Sequence, residues 1–286
     1  MRTVALVTYR ELPDLTDDDR LVFDELRRQG IDARAVTWDA HDAQWERFDG
    51  VILRSCWDYH FRYEEFSDWI RALEQNGVRL WNPASILRWN MNKEYLKSLR
   101  DQGITIAPTI WLTKGSTVNL EEILTEQSWT QAVVKPTISA TAFQTWITSP
   151  EKAPADEIAV RKMLQRSGVM VQKFVEEVYT AGEWSFIFFL KHYSHAVLKR
   201  TREGDFRVQN EFGGSFERAV PATPLVEQAQ KIVDAIDEPL LYARVDGIAI
   251  GDRFLLMELE LIEPALFLGS DPLAPQRFAR AIIEAI

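Results

Sequence analysis

The 286-residue sequence has little of what marks several protein classes. Its only cysteine is Cys56, which excludes an intrachain disulfide and makes a reducing compartment the simpler expectation. It contains no run of about 18 apolar residues, and the apolar stretch at residues 1–9 is too short for a signal peptide. We therefore expect an unprocessed cytoplasmic protein with no membrane partner.

Cationic residues are scarce as well. The 33 Lys and Arg are outnumbered by 43 Asp and Glu, which gives a formal charge of −10. Nucleic acids and anionic membranes need an excess of Lys and Arg, so neither is expected to bind. The patterns GxxxxGK[ST] and GxGxxG are absent, and the four histidines lack metal-ligand spacing. Any phosphate ligand must be held by a few locally placed cations.

Apolar residues, by contrast, are abundant enough for a chain that folds throughout, since 46% of it is hydrophobic. The length suggests about two domains in one multi-lobed molecule. Strands predicted near residues 3–8, 32–38 and 51–53 alternate with helices near 17–29 and 66–73. This alternation predicts a small parallel sheet over roughly the first 90 residues.

The rest of the chain predicts two further lobes. Two short helices follow Asn82-Pro83, and a lobe of mixed strands and helices extends to about residue 172. From Glu183 onward the pattern is rich in strands. The strands predicted there are 185–190, 195–199, 205–208, 241–250 and 254–262.

A β-hairpin is predicted from the last two of these strands, and its register can be tested by parity. Directly opposed residues of an antiparallel pair share a face. A three-residue loop at 251–253 opposes Asp246 to Glu258 and Arg244 to Glu260. All four charged groups then lie on one face.

A two-residue turn is the alternative, and it would oppose Asp246 to Met257. We favour the three-residue loop because it leaves the other face apolar. In this register Phe254 and Leu256 lie on the charged face, before the two glutamates in the strand. The residues of that apolar face are Val245, Met257, Leu259 and Leu261.

The opposed carboxylates of Asp246 and Glu258 would repel each other, and burying them would cost more, unless a cation lies between them. Carboxylate oxygens suit Mg²⁺, and residues two apart on a strand stand roughly 7 Å apart, so two carboxylates could converge on one or two ions. The alternative is a solvated sheet face on which these acids pair with Arg244 and other basic groups. The hairpin by itself leaves both interpretations open.

Five phrases resemble, in order, motifs of the ATP-grasp superfamily, and most of all its branch containing bacterial glutathione synthetase and the ribosomal-protein glutamate ligases. They are Asn92-Lys93-Glu94-Tyr95-Leu96, Val133-Val134-Lys135-Pro136, Gln172-Lys173-Phe174-Val175 with Gly182-Glu183, Gly204-Asp205-Phe206-Arg207 running to Gly213-Gly214, and Ala243-Arg244-Val245-Asp246 with Glu258-Leu259-Glu260. Each phrase is weak alone, but five in this order are a strong signal.

The resemblance implies an α/β (α+β) ATP-grasp fold. Its N-terminal α/β domain, on the substrate side, would span residues 1–89, and a middle lid lobe would span 90–175. A C-terminal, largely antiparallel, metal-binding lobe would span 176–286. The implied cofactors are ATP and Mg²⁺, with Mn²⁺ as the alternative ion.

The resemblance also implies roles in ATP binding. Lys93 and Lys135 would reach the phosphates, since ATP carries about four negative charges and needs such point charges in an acidic protein. Glu183 would take the ribose hydroxyls. The adenine would lie along the hinge formed by Gln172, Lys173, Phe174 and Val175. The alternatives are ordinary surface positions for the two lysines and a solvated strand end for Glu183.

The implied chemical groups come from the C-terminal lobe. Lys199 and Arg207 resemble the cations near the transferred phosphoryl group, and Arg244 resembles the group that stabilises the acyl phosphate and the tetrahedral species. The magnesium ligands would be Asp246, Glu258 and Glu260.

The sequence departs from the family in two places. The loop after Lys135 lacks the family's glycines, so hydroxyls such as those of Ser139 and Thr141 would replace their grip on phosphate. Gln209 and Glu260 stand where relatives often carry Asn. Glu260 would still bind Mg²⁺, with one more negative charge, and Gln209 is left unassigned.

The phrase at residues 258–268, together with residues 54–59, is most similar to the subgroup containing the O-ureidoserine cyclo-ligase of cycloserine biosynthesis and its uncharacterised relatives. Residues 54–59 follow the third predicted strand, and open parallel sheets bind ligands at the carboxyl ends of their strands.

This loop is therefore the predicted substrate site. Arg54 would fork onto a substrate carboxylate, Asp58 would meet an amine, and Trp57 or Tyr59 would form a wall. The alternative is a buried Trp beside an Arg–Asp surface pair.

Together these expectations describe a carboxylate–amine ligase or cyclo-ligase that forms a C–N bond through an acyl phosphate and releases ADP and phosphate. Its partners would be ATP and a small amino-acid-like substrate, and a homodimer is compatible with the sequence. The alternative is an ATP-binding regulatory or scaffold module without turnover. The full set of Arg244, Asp246, Glu258 and Glu260 favours the enzyme, because binding alone does not need it.

Overall fold

The computed structural model describes residues 1–140, 142–202 and 213–286. The helices are α1 (Asp17–Arg28), α2 (Tyr63–Gln75), α3 (Ala84–Asn90), α4 (Tyr95–Asp101), α5 (Leu120–Glu126), α6 (Ala153–Leu164), α7 (Glu177–Thr180), α8 (Thr223–Asp234) and α9 (Ala274–Ala285). The strands are β1 (Thr3–Thr8), β2 (Asp32–Thr37), β3 (Gly50–Leu53), β4 (Leu80–Trp81), β5 (Thr109–Leu112), β6 (Ala132–Pro136), β7 (Trp146–Thr148), β8 (Val169–Lys173), β9 (Glu183–Phe189), β10 (His192–Arg200), β11 (Ser215–Arg218), β12 (Tyr242–Ile250) and β13 (Arg253–Glu260).

The first sheet is parallel, in the order β2-β1-β3-β4, as the strand–helix alternation predicts. Side chains of β1 point alternately to its two faces, and both faces are covered. Leu6 packs with α1 and α9 on one face, whereas Val7 packs with α2 on the other. The carboxyl ends of β1 and β3 therefore emerge from a fully enclosed core.

The second sheet is antiparallel, in the order β5-β8-β6-β7. Helices α5 and α6 cover one face, packing on Val134 and Val171. Because neighbouring residues on a strand point to opposite faces, Val133, Lys135 and Gln172 lie on the other face. That face is turned towards the third sheet.

The third sheet is antiparallel, in the order β11-β10-β9-β12-β13. Helices α4 and α8 cover one face, where they pack on Phe186, Val245 and Leu256 of the sheet. The opposite face packs on α9 at one end, through Ile187 and Phe189, and opens at its other end. This open end carries the ionisable groups described below.

The predicted fold class, with an N-terminal parallel sheet and a C-terminal antiparallel sheet, is confirmed. The boundaries proposed for the three lobes stay a prediction, and the predicted strand at 205–208 lies outside the described residues. Among the helices of the described ranges, none combines the length and the apolar character needed to cross a membrane.

Candidate active site

A cavity of about 350 Å³ lies between the second and third sheets. One end is apolar, formed by Val133 and Ile248 on the two sheets and by Phe174, Val175 and Val178 between them. At its edge the Gln172 side chain donates to Thr109 Oγ1 at 3.1 Å. The shape and chemistry of this end suit a flat heteroaromatic ring.

The opposite end is ionic, and its first cluster lies on three adjacent strands. Lys199 and Glu183 are register partners on β10 and β9, and Lys199 Nζ lies 2.5 Å from the Glu183 carboxylate. Lys199 Nζ also lies 3.4 Å from Asp246 Oδ2. Ser185, opposite Asp246, donates its hydroxyl to the same carboxylate. Burial alone would raise the pKa of Asp246, but Arg244 and Lys199 hold it below its ordinary value.

Arg244 occupies the centre of the ionic end. Its Nη2 lies 2.9 Å from Asp246 Oδ2 and also donates to Glu260. Its Nη1 donates to the carbonyl of Ala265 at 3.0 Å. Only 9% of the residue is exposed, so these contacts are made in a largely desolvated setting.

A third cation at the ionic end is Lys93, which lies just before α4. Its Nζ lies 2.7 Å from Glu258 Oε1 and donates to the carbonyl of Ser139 at 2.8 Å. Burial would raise the pKa of Glu258, but Lys93 and Lys135 outweigh it and lower that pKa. Burial lowers the pKa of Lys135 itself. Lys93 thus ties the loop after β6 to the acidic end of β13.

The hairpin register places the four charged groups as predicted, with Arg244 opposite Glu260 and Asp246 opposite Glu258. The predicted three-residue loop is wrong, however, because Ile250 pairs directly with Arg253 across a two-residue turn. A β-bulge restores the pairing, since Gly247 opposes Leu256 and leaves one residue of β13 extra.

The bulge also changes which side chains face the cavity. Phe254 and Leu256, predicted on the charged face, lie in the core instead, whereas Met257 lines the cavity beside Glu258. A Cβ at Gly247 would lie 2.4 Å from Phe254 Cζ and 2.5 Å from Leu255 O, so the close approach requires glycine. A glycine inside a strand pattern is the sequence signal that could have indicated the bulge.

Each of the carboxylates on this face of the hairpin is paired with a cation of the protein. Arg244 and Lys199 accompany Asp246, Lys93 accompanies Glu258, and Arg244 also reaches Glu260. Within residues 1–140, 142–202 and 213–286, no three His, Cys, Asp or Glu side chains converge as a metal-ligand group. The oxygen donors of Asp246, Glu258 and Glu260 nevertheless share one cavity wall and are chemically suited to a hard divalent cation.

Comparison with known proteins shows what the chain is similar to. Residues 4–82 match the family model described as D-cycloserine synthetase DcsG, N-terminal domain. The cycloserine biosynthesis protein DcsG of Streptomyces lavendulae is 29% identical over 301 residues, covering 100% of this chain and 99% of the relative. The crystal structure of D-cycloserine synthetase DcsG matches with a TM-score of 0.88 and 27% identity, covering 99% of both chains.

More distant structures share the fold alone. D-alanine–D-alanine ligase from Bacillus anthracis, complexed with ATP, matches with a TM-score of 0.70 at 17% identity, covering 100% of this chain and 97% of that one. The ATP-grasp ligase PsnB, in a complex containing Mg and ADP, matches with a TM-score of 0.66 at 16% identity, covering 99% and 98%. The chain has the fold of these ATP-grasp ligases and is similar along its whole length to the synthetase DcsG.

In this ATP-grasp fold, a segment without helix or strand crosses the interior beside the ionic end. We call residues 261–266 the clamped segment, because each of its six carbonyls accepts a hydrogen bond from a different side chain. In chain order the donors are Asn82, Tyr242, Trp57, Arg54, Arg244 and His195, at 2.9, 2.7, 3.2, 2.7, 3.0 and 2.9 Å. A buried backbone without these donors would lose its hydrogen bonds, so the side chains hold the segment in one position.

Two of the predicted substrate residues do not reach the cavity. Arg54 is 1% exposed, and its guanidinium donates to Asp19 Oδ1 at 2.9 Å and to Pro264 O at 2.7 Å. Asp58 accepts from Trp38 Nε1 at 2.8 Å. This geometry contradicts the prediction that Arg54 forks onto a substrate, because its donors are already used inside the protein. The Arg–Asp surface pair is wrong as well, since Arg54 pairs with Asp19 in the interior.

The other predicted site residues of the described chain line the cavity. They are Trp57, Tyr59, Lys93, Lys135, Ser139, Gln172, Lys173, Phe174, Val175, Glu183, Lys199, Arg244, Asp246, Glu258 and Glu260. Thr141 and Arg207, predicted for phosphate and phosphoryl binding, lie outside the described residues. The roles of all these residues stay predictions.

Sequence reasoning missed Glu263, Phe267 and Phe216, which also line the cavity. Phe267 lies beneath the Arg244 guanidinium, 5.7 Å from ring centroid to Cζ, and packs on Phe216 with ring centroids 4.8 Å apart. A signal existed for Glu263, because an acid directly before Pro264 within an apolar run is unusual.

Proposed function

We propose that this ATP-dependent ligase activates the carboxylate of a small amino-acid-like substrate as an acyl phosphate and joins it to an amine. The observation that carries the proposal is the cavity wall on which Arg244 and Lys199 accompany three carboxylates. Cations and acids side by side suit a phosphoryl group and a divalent metal together, which nucleotide binding alone does not require. The similarity to a synthetase of cycloserine, a cyclic molecule, favours ring closure within one substrate.

The two ends of the cavity account for the two ends of ATP. The apolar end, with Phe174 and Val175, would hold adenine. The phosphates would extend towards Lys93, Lys135 and Lys199. Glu183 lines the cavity at the edge of the ionic cluster, where a ribose would lie.

The oxygen donors of Asp246, Glu258 and Glu260 would hold Mg²⁺, which supplies charge neutralisation at the transferred phosphoryl group. Lys93 and Arg244 now contact these same carboxylates. On binding Mg-ATP they would turn to phosphate oxygens, which exchanges one anionic partner for another. Their charges are thus held in place beforehand, and little reorganisation is needed at the moment of reaction.

The proposed reaction has two steps. One carboxylate oxygen of the substrate attacks the γ-phosphorus of ATP, the bond to the bridging oxygen breaks, and ADP leaves. The amine then attacks the acyl carbon, the C–N bond forms, and phosphate leaves with the former carboxylate oxygen. Arg244, with its planar fork of donors, would stabilise the charge on the acyl phosphate and on the tetrahedral species.

The test is ADP release by the purified protein with Mg-ATP and alanine, serine or O-ureidoserine, singly and in pairs, followed by mass spectrometry of products. The carboxylate is labelled with heavy oxygen. We expect substrate-dependent ADP and one labelled oxygen in the released phosphate. Tight ATP binding without ADP release on every substrate would support the non-catalytic module instead. ADP release without label in phosphate would exclude the acyl phosphate.

A further inference from the structure

Glu263 differs from the other acids that line the cavity. It is 8% exposed, yet in the described part of the chain no Lys, Arg or His side chain lies within ion-pair distance of its carboxylate. Each of the other four acids has such a partner at 2.9 Å or closer. The pairs are Glu183 with Lys199, Asp246 with Arg244, Glu258 with Lys93, and Glu260 with Arg244.

A buried carboxylate without a cation is costly, and it is retained only where something compensates the cost. Burial raises the pKa of Glu263 to about 7, even with Lys93 and Arg244 in the surroundings. A positively charged ligand group beside this carboxylate would restore its ordinary ionisation. The Glu263 carboxylate therefore has the environment of a group whose cationic partner is supplied by a ligand.

The backbone around Glu263 is held rigidly. Trp57 Nε1 donates to the backbone carbonyl of Glu263 at 3.2 Å. Arg54 and Tyr242 donate to the backbone carbonyls of the following and the preceding residue. Because the clamped segment is fixed through its backbone, the carboxylate of Glu263 is not needed to hold the segment. A carboxylate presented from a rigid backbone suits selective binding.

The walls beside Glu263 are aromatic. Trp57 and Tyr59 line the same part of the cavity, and the negative charge of Glu263 raises the pKa of the buried Tyr59 hydroxyl in addition to the effect of burial. An ammonium group is attracted both to a carboxylate and to the faces of aromatic rings. A carboxylate or phosphate of a ligand would be repelled here and drawn to the cations at Lys93 and Arg244.

We propose that Glu263, which lines the same cavity as Trp57 and Tyr59, binds an ammonium group that the substrate keeps throughout the reaction. The ligase would then be selective for free α-amino acids and would reject the corresponding acids without the amino group. This inference rests on the proposed ligase function and assigns the residue that recognises the amino group of the substrate.

The test compares wild-type protein with E263Q, which keeps shape and removes charge, and with the exposed control E238Q. The probe is whichever of alanine, serine and O-ureidoserine drives the fastest ADP release. Its counterpart lacks the amino group: propionate, 3-hydroxypropionate or 3-ureidooxypropionate. For E263Q we expect KM for the amino acid to rise on the order of 10- to 100-fold, because one charge-assisted hydrogen bond is lost.

Three further readouts make the result specific. KM for ATP should stay within about threefold of wild type, KM for the counterpart should be equal in wild type and E263Q, and E238Q should match wild type throughout. The melting temperature of E263Q at pH 8 should be unchanged or higher, since an unpaired buried charge is removed. A merely structural glutamate would instead lower it and raise both KM values together.

The outcomes separate the two proposals. An unchanged KM for the amino acid in E263Q, with an active wild type, overturns the role of Glu263 and leaves the ligase function standing. Equal use of the amino acid and its counterpart by wild type does the same. Absence of ADP release by wild type with all three amino acids overturns the proposed function and this inference with it.

Discussion

Arg54 and Arg244 are both buried arginines paired with an aspartate, but the first pair is closed and the second is open. Arg54 is surrounded by protein, with Asp19, the Pro264 carbonyl and the rings of Tyr242 and Phe278 around its guanidinium. Arg244 contacts Asp246 and Glu260 and faces the cavity. The same residue types therefore serve stability in one place and can serve a ligand in the other.

The difference follows from the hydrogen-bond and ion-pair partners of each arginine. In the closed pair every donor finds a protein acceptor, so a ligand could bind only by breaking the interior. In the open pair the partners are carboxylates that themselves suit a metal ion, so a ligand can replace one contact with another. Four predictions test this contrast, from the largest expected effect to the smallest.

Arg54→Met should lower the free energy of unfolding by roughly 3–5 kcal/mol, because it leaves the buried Asp19 without its cation. Urea unfolding measures the loss. In the double variant with Asp19→Asn, part of the stability should return, since the orphaned charge is gone. A loss below about 1 kcal/mol would mean that the closed pair is not a structural element.

Arg244→Lys should lower turnover on the order of 10²-fold, because a lysine keeps the charge but cannot make the forked contacts. ADP release at saturating ATP and substrate measures it. The matched variant Arg54→Lys should lose stability with a smaller change in turnover. If both variants slow turnover equally, the distinction between open and closed pairs fails.

His195 allows the stability of the buried clamped segment to be tested through its dependence on pH. It is 3% exposed, donates to the Leu266 carbonyl, and has a pKa that burial lowers to about 4. Because the folded state favours the neutral ring, its contribution is complete above the ordinary pKa near 6.5 and is lost as pH falls towards 4. The full effect is roughly 3 kcal/mol.

The measurement is urea unfolding at pH 7.5 and 5.0 for wild type and His195→Gln, which keeps a donor for Leu266. We expect stability to fall less steeply with acid in the variant than in wild type. Identical losses in the two proteins would mean that His195 is protonated inside the fold.

Lys135→Met should weaken ATP binding about tenfold, the smallest effect of the series, since one charge-assisted contact is lost. Lys93→Met should weaken ATP binding similarly and should also lower stability, because Glu258 and the Ser139 carbonyl lose their partner. Calorimetric titration with Mg-ATP tests both variants. Unchanged affinity in each would remove these lysines from the phosphate site.

Much of the fold could be predicted from local pattern. Hydrophobic periodicity located β1, α1 and β3, and the alternation of strands and helices predicted the parallel sheet. The strand β4 and the helix α5 escaped prediction; the two residues of β4 are too few to show a period. The hairpin register was predicted correctly for the four charged residues but not between the turn and Gly247, because the bulge at Gly247 offsets the wrong loop length.

The sequence by itself determined which charged residues share a face of the hairpin, because strand parity is a local property of the chain. Only the tertiary structure decided that Arg54 is closed and Glu263 is open. Arg54 meets the Pro264 carbonyl across 210 positions of sequence, and Trp57 meets that of Glu263 across 206. Whether a buried polar group is satisfied or left for a ligand depends on such distant partners, which no local pattern contains.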